Sequence, residues 1–191
     1  MVTIVESDAR WAGEFDAIAA RLREATSESV VRIDHIGSTS VRQLPAKDVI
    51  DVQITVEDGA ALEPVVERLA TRGWRRVADI VDDHQVPGLS PSPLSGGSSS
   101  CVNPMESGAR MCTSAYRAER ISDMRCSSVT SSAHPDSAAS YATVKRGLAM
   151  LAPDTDSYAD AKDPACDLIY RAAEAWAKEV GWDSVVPPPP P

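Results

Sequence analysis

The chain is poor in the residues that build zinc sites, disulfide frameworks and polyanion-binding surfaces. It has three histidines and four cysteines, Cys101, Cys112, Cys126 and Cys166. No two of the cysteines form a Cys-x-x-Cys pair, and no histidine stands at zinc-ligand spacing from them, so they read as free thiols. Basic residues number 19 against 28 acidic ones, a formal net charge of -9. That balance excludes nucleic acid and anionic membranes as main partners, though not a small phosphorylated ligand held by a few local cations. No apolar run is long enough to span a bilayer. The segment Met1–Glu6 lacks the charged-then-apolar layout of a signal peptide, so the expectation is a cytoplasmic protein. Phe15 is the only phenylalanine, which suggests that part of the chain lacks its normal core residues.

What remains suits one α/β domain: 191 residues, of which 43% are hydrophobic, suffice for a real core. Ser7 and Asp8 cap a helix starting near Ala9, and Trp11, Phe15, Ile18 and Leu22 recur at helical spacing as far as about Ala25. Val30–Ile36 reads as a strand and Thr39–Leu44 as one helical turn before Pro45. Asp48–Val56 is a second strand, on which Asp51 and Gln53 share a face and Asp48 points the other way. Leu62, Val65, Val66 and Leu69 mark a helix closed by Gly73, and Trp74–Ile80 a third strand. Past the middle, Tyr141, Val144, Leu148 and Leu151 line one helix face. A short helical piece holds Tyr158, Ala161 and Lys162. Asp163-Pro164 opens a last helix with Ile169, Ala173, Trp176 and Val180 as its buried stripe. The order predicts an α+β fold, a mixed sheet flanked by helices, over residues 1–182. Residues 183–191 form a Pro-rich, disordered tail.

Residues 86–133 differ in character. Ser, Gly, Pro, Cys and Met crowd the segment, and neither a period of 2 nor one of 3.6 is sustained, so it reads as a long disordered insertion.

One stretch carries chemistry. Ile33-Asp34-His35-Ile36 runs into Gly37-Ser38-Thr39-Ser40, and Ala46-Lys47-Asp48-Val49-Ile50-Asp51 follows. A Gly-Ser turn after a strand can present backbone N–H groups to a phosphate, and small residues allow close approach. A plain turn between core strands fits the spacing equally well. Lys47 can neutralise phosphate as a point charge or be an ordinary surface lysine. His35 is either a ligand contact or a buried, hydrogen-bonded imidazole. A carboxylate on the second strand, Asp51, can take Mg²⁺.

The motif Asp34-His35-Ile36-Gly37-Ser38-Thr39-Ser40-Val41, then Ala46-Lys47-Asp48-Val49-Ile50-Asp51-Val52, resembles the signature of the GrpB family of the nucleotidyltransferase-fold superfamily. The likeness extends to Trp11, to His134-Pro135 through Arg146, to Tyr158–Pro164 and to Gly181-Trp182. It also resembles the domain that some actinobacterial dephospho-CoA kinases carry after the kinase. The resemblance implies a nucleotidyltransferase-like fold that binds a nucleotide or phosphorylated small molecule through His35, Gly37, Ser38, Thr39 and Lys47. Asp51 would be the catalytic and Mg²⁺-binding carboxylate.

Three departures qualify this. Arg42-Gln43 replaces the usual Pro-Gly. Gln53 stands where the superfamily has a second acid, which weakens the case for two-metal nucleotidyl transfer. The middle lacks the expected strand with a His-x-His pair. Plausible codons for Ala109–Ser114, read one nucleotide earlier, can spell a His-Val-His-Ile run, so two compensating frame errors would account for the composition change as a genuine loop would not; the gene's codons there decide between the two. Two alternatives to an active transferase therefore stand: a non-catalytic accessory or folding domain that partners dephospho-CoA kinase, and an inactive, damaged family member.

Overall fold

The computed structural model describes residues 2–26, 30–56, 59–77, 99–104, 110–114 and 134–181. They divide into two compact units, one of Met1–Asp8, Gly37–Asp48 and Arg120–Pro191, the other of Ala9–Ile36 and Val49–Glu119.

The second unit is a five-stranded mixed sheet with two helices. Its strands are β1 (Val30–Ile36), β2 (Asp51–Val56), β3 (Trp74–Val77), β4 (Ser99–Pro104) and β5 (Arg110–Ser114), in the spatial order β1-β2-β5-β4-β3. Only β2 and β5 run parallel; the other neighbours are antiparallel. Helix α1 (Arg10–Thr26) buries Trp11, Ala19, Leu22 and Ala25, one stripe of an amphipathic helix. Helix α2 (Leu62–Thr71) buries Val65, Val66 and Leu69 and is followed by Gly73 at φ 83°. Arg68 donates to the Thr26 carbonyl at 3.2 Å, tying the end of α1 to α2. The Arg21 guanidinium lies 5.7 Å from the Trp74 ring centre.

Register sorts the side chains of β1 and β2. Ile36 pairs with Asp51, His35 with Val52, Asp34 with Gln53, Ile33 with Ile54 and Arg32 with Thr55. Paired residues share a face and successive pairs alternate. Ile33, His35, Val52 and Ile54 thus form one face, and Arg32, Asp34, Ile36, Asp51, Gln53 and Thr55 lie on the other. The strand begins at Asp51, not Asp48. Asp48 is exposed and lies before the strand, so it has no strand face at all.

The middle of the chain corrects another expectation. Within the segment read as structureless, β4 and β5 pair with each other and with β3 and β2. Ser-Ser-Cys-Val-Asn-Pro and Arg-Met-Cys-Thr-Ser carry no apolar alternation, yet backbone pairing needs none. The remainder of 86–133 and the tail 183–191 lie outside the described residues.

The first unit holds α3 (Pro135–Leu151), α4 (Thr155–Val180) and the linker 37–48. The buried face of α3 is Ala138, Ala142, Lys145 and Ala149. Val144 and Leu151, expected inside, are 42% and 82% exposed. Small side chains let the linker approach closely: Val41 and Leu44 pack on Ala138 and Ala142. Helix α4 runs unbroken through Pro164 where two helices were expected. Pro164 removes one backbone donor, but the tertiary burial of Tyr158, Ala173 and Ala177 on either side holds the helix together. Its N-cap is Asp154, whose carboxylate accepts from the Ser157 N–H at 2.7 Å.

Gln43 adopts φ 62°, the left-handed region in which a side chain is strained. It occupies the second position of the Pro-Gly pair that the family resemblance calls for, and the strain shows why glycine suits that position. Gln43→Gly is expected to stabilise the fold by about 1 kcal/mol, less the added freedom of the unfolded chain. Urea unfolding measures it; a destabilised variant contradicts the backbone argument.

Candidate functional site

Gly37 sets the geometry of the turn. Its φ of 69° and ψ of -167° fall in a region essentially restricted to glycine. Ser38–Ser40 then form a single 3-10 turn. The Ser40 hydroxyl and N–H both donate to the Gly37 carbonyl, at 2.7 and 3.3 Å, and the Val41 N–H donates to the Ser38 carbonyl at 3.3 Å. Thr39 is buried and Ser38 half-buried. A three-residue turn is too short to carry a helix macrodipole, so any anion affinity here comes from individual N–H and hydroxyl groups.

Lys47 belongs to the same unit. It is half-buried, with its amine 5.5 Å from the centre of the Tyr158 ring, in cation–π range. It is thus a lysine laid over an aromatic face, held more closely than an ordinary surface one. Between turn and lysine the linker is fixed by a residue the sequence reading missed. Lys145 is 2% exposed, and its amine donates to the Pro45 carbonyl. The next residue, Ala46, exchanges backbone hydrogen bonds with Val5 at 2.8 and 3.0 Å. The pKa of Lys145 is lowered from 10.5 to about 7, chiefly by burial and next by the Lys162 charge, against an opposing effect of Cys166. A lysine at a helical core position, flanked by alanines, is the signal that would have identified it.

His35 and Asp51 belong to the sheet unit. His35 stacks on Phe15 of α1, with ring centres 4.8 Å apart and planes 8° from parallel. Burial lowers its pKa from 6.5 to about 4, with Asp16 opposing. The ring is therefore neutral near pH 7 and lies on the apolar face of the β1–β2 pair, opposite the face of Asp51. Asp51 is half-buried; on its face Gln53 is 4% and Thr55 2% exposed. Among the described residues the Thr55 hydroxyl has no hydrogen-bond partner. Asp34, on the same face and opposite Gln53, is ion-paired with Arg32. A second carboxylate thus comes from the neighbouring strand, not from position 53; pairing register supplies it, and sequence spacing along one strand does not reveal it. Asp51, Asp34 and the Gln53 carbonyl are all oxygen donors of the kind Mg²⁺ takes. Among the described residues no group of three or more His, Cys, Asp or Glu side chains forms a metal cluster.

The sequence profile of the family described as GrpB protein matches residues 1–172. The chain belongs to the GrpB family. Its fold agrees: a crystal structure of the conserved protein GrpB from Enterococcus faecalis superposes with a TM-score of 0.72, covering 92% of this chain and 99% of that one at 22% identity. A dephospho-CoA kinase of Mycolicibacterium paratuberculosis is 30% identical over 95% of the chain, which spans 48% of the kinase's length. A UPF0157 protein of Halalkalibacterium halodurans is 41% identical over 38% of the chain and 37% of its own length. The chain thus covers about half of the dephospho-CoA kinase it matches. Among the described residues no helix is long and apolar enough to cross a membrane.

The His35 geometry has a consequence for pH. Its native pKa is depressed, so between pH 6.5 and about 4 the unfolded chain binds a proton that the native ring refuses. Stability falls as pH drops through that window. His35→Phe keeps the stack and removes the titration. The wild type is expected to lose more stability than this variant between the two ends of the window in chemical denaturation; equal losses would contradict the buried, neutral imidazole.

Proposed function

We propose that this GrpB-family domain binds a nucleotide or another phosphorylated small molecule in the cytoplasm. The observation that carries this reading is the glycine-only conformation of Gly37, followed by a tight turn of Ser38 and Thr39 in the same unit as Lys47. Maintaining a residue in such a conformation costs roughly 1–3 kcal/mol for anything but glycine. The resulting turn exposes backbone to close approach, as phosphate recognition requires. Ser38 and Thr39 would contribute N–H and hydroxyl donors, and Lys47 a positive charge.

Within the sheet unit, Asp51, supported by Asp34 and the Gln53 carbonyl on the same strand face, would hold Mg²⁺, an ion that supplies charge neutralisation when bound. With glutamine at position 53 and Asp34 engaged by Arg32, the domain is better suited to binding than to two-metal nucleotidyl transfer. Asp51 would be the catalytic carboxylate of any transferase activity. His35 acts as a packing residue against Phe15.

Thermal unfolding with ATP, dephospho-CoA and pyrophosphate, each with and without Mg²⁺, tests the reading. A ligand at a hundred times its Kd stabilises by about 2.7 kcal/mol. Lys47→Gln and Gly37→Ala are expected to lose the shift. No shift with any phosphorylated compound, or equal shifts in all variants, would contradict it.

The relatives named dephospho-CoA kinase favour a second reading. The chain matches them over nearly its whole length while spanning about half of theirs, as an accessory or folding domain of such a kinase would. In that case a separately expressed dephospho-CoA kinase, and no phosphorylated compound, raises the melting temperature.

A further inference from the structure

Helix α4 brings a lysine and a cysteine together in a part of the first unit that the proposed function does not use. The Lys162 amine donates to the Cys166 sulfur at 3.2 Å. The two residues are four apart on one helix, so their side chains are neighbours one turn apart and stay within reach of each other. The Tyr141 hydroxyl lies 3.4 Å from the same sulfur. Burial, reinforced by Cys166, raises the pKa of Tyr141. Its hydroxyl therefore stays protonated and can donate to the sulfur. The Lys145 amine stands 5.0 Å from the Tyr141 ring centre. Cys166 and Lys162 are both half-buried.

The Lys162 amine and the Tyr141 hydroxyl hold this sulfur in place, and cysteine sulfur is the atom that peroxide oxidises. A half-buried sulfur admits so small an oxidant while limiting access by larger thiols. A sulfenic acid formed at Cys166 has the Lys162 amine beside it, 3.2 Å from the sulfur, as a side-chain nucleophile able to capture the first oxidised state.

We propose that Lys162 and Cys166 form a reversible nitrogen–oxygen–sulfur bridge under hydrogen peroxide. One peroxide oxidises the thiol by two electrons: its O–O bond breaks, one oxygen joins Sγ, and water leaves. A second peroxide accepts two electrons as the sulfenic O–H and one Nζ–H bond break and the O–Nζ bond forms; the two hydrogens leave with its oxygens as two waters. Thiol, amine and two peroxides thus give the bridge and three waters. Two dithiol molecules reverse it: the first gives two electrons and two hydrogens to break the O–Nζ bond, leaving the amine and a sulfenic acid, and the second reduces the sulfenic acid to the thiol with loss of water. The bridge ties one turn of α4 covalently just before and after Pro164, where the helix lacks a backbone donor. It also removes the Lys162 charge that lowers the pKa of Lys145.

Peptide mass spectrometry of the full chain after peroxide treatment tests this. The expected product is a tryptic peptide uncut after Lys162, heavier by one oxygen and lighter by two hydrogens, with fragment ions linking Lys162 to Cys166. Dithiothreitol restores cleavage. In Lys162→Arg the bridge is lost and Cys166 is instead trapped as a sulfenic acid by dimedone. Protein unfolded in urea before oxidation is expected to give little bridge, because the helix no longer holds the pair together. Sulfinic Cys166 with Lys162 freely cleaved, a direct S–N bond without added oxygen, or equal bridging in the unfolded chain would each overturn the proposal. The wild-type measurement stands even if a variant fails to fold.

Discussion

A buried amine bonded to one backbone carbonyl governs the geometry of the linker on which the candidate phosphate site rests. Lys145 gives up water almost entirely and donates to the Pro45 carbonyl. Burying an ammonium is costly, and the lysine responds by shifting its pKa down to about 7. A buried carbonyl without a donor would also cost about 1–3 kcal/mol. Each group meets the other's need. Ala138, Ala142 and Ala149 make the bond feasible, because larger side chains on that helix face would hold the linker away. Val41 and Leu44 pack against the same face, and Ala46 is anchored to Val5. The glycine turn at one end and Lys47 at the other are therefore carried on a segment fixed along its length.

In the sheet unit, the division of faces is the corresponding constraint. One face of the β1–β2 pair is apolar and takes α1, with His35 drawn into the packing by its stack on Phe15. The other collects Arg32, Asp34, Asp51, Gln53 and Thr55 beside a single buried apolar residue, Ile36. A strand pair with so much polar chemistry on a face that leaves Gln53 and Thr55 nearly inaccessible is hard to explain by packing alone. Buried polar groups are normally satisfied, and clusters of them are costly unless they have a use.

The elements that sequence reading located best are those with strong periodic patterns. Val30–Ile36, bounded by polar residues and a glycine, marks β1 to the residue. Stripes of Trp11, Leu22, Val65 and Leu69 mark α1 and α2. Three features were not legible, each for a physical reason. β4 and β5 pair through their backbones, and side-chain alternation does not mark them. The buried face of α3 consists of alanines and a lysine, so a search for large apolar residues selected Val144 and Leu151, which face water. Asp34 joins the face of Asp51 only through cross-strand register, which no single strand encodes. Conversely, the departure at Gln43 was visible in the sequence, and its left-handed backbone gives it physical meaning.

The central claim is that the turn after β1, together with Lys47, receives phosphate. Its most direct test is an amide NMR titration of the isotopically labelled protein with pyrophosphate. The account predicts that the largest, saturable shifts fall on Gly37, Ser38, Thr39 and Lys47, and that Lys145→Met, which releases Pro45, weakens the binding that produces them. Shifts confined to other lysines, or spread without saturation over the basic side chains, would contradict it.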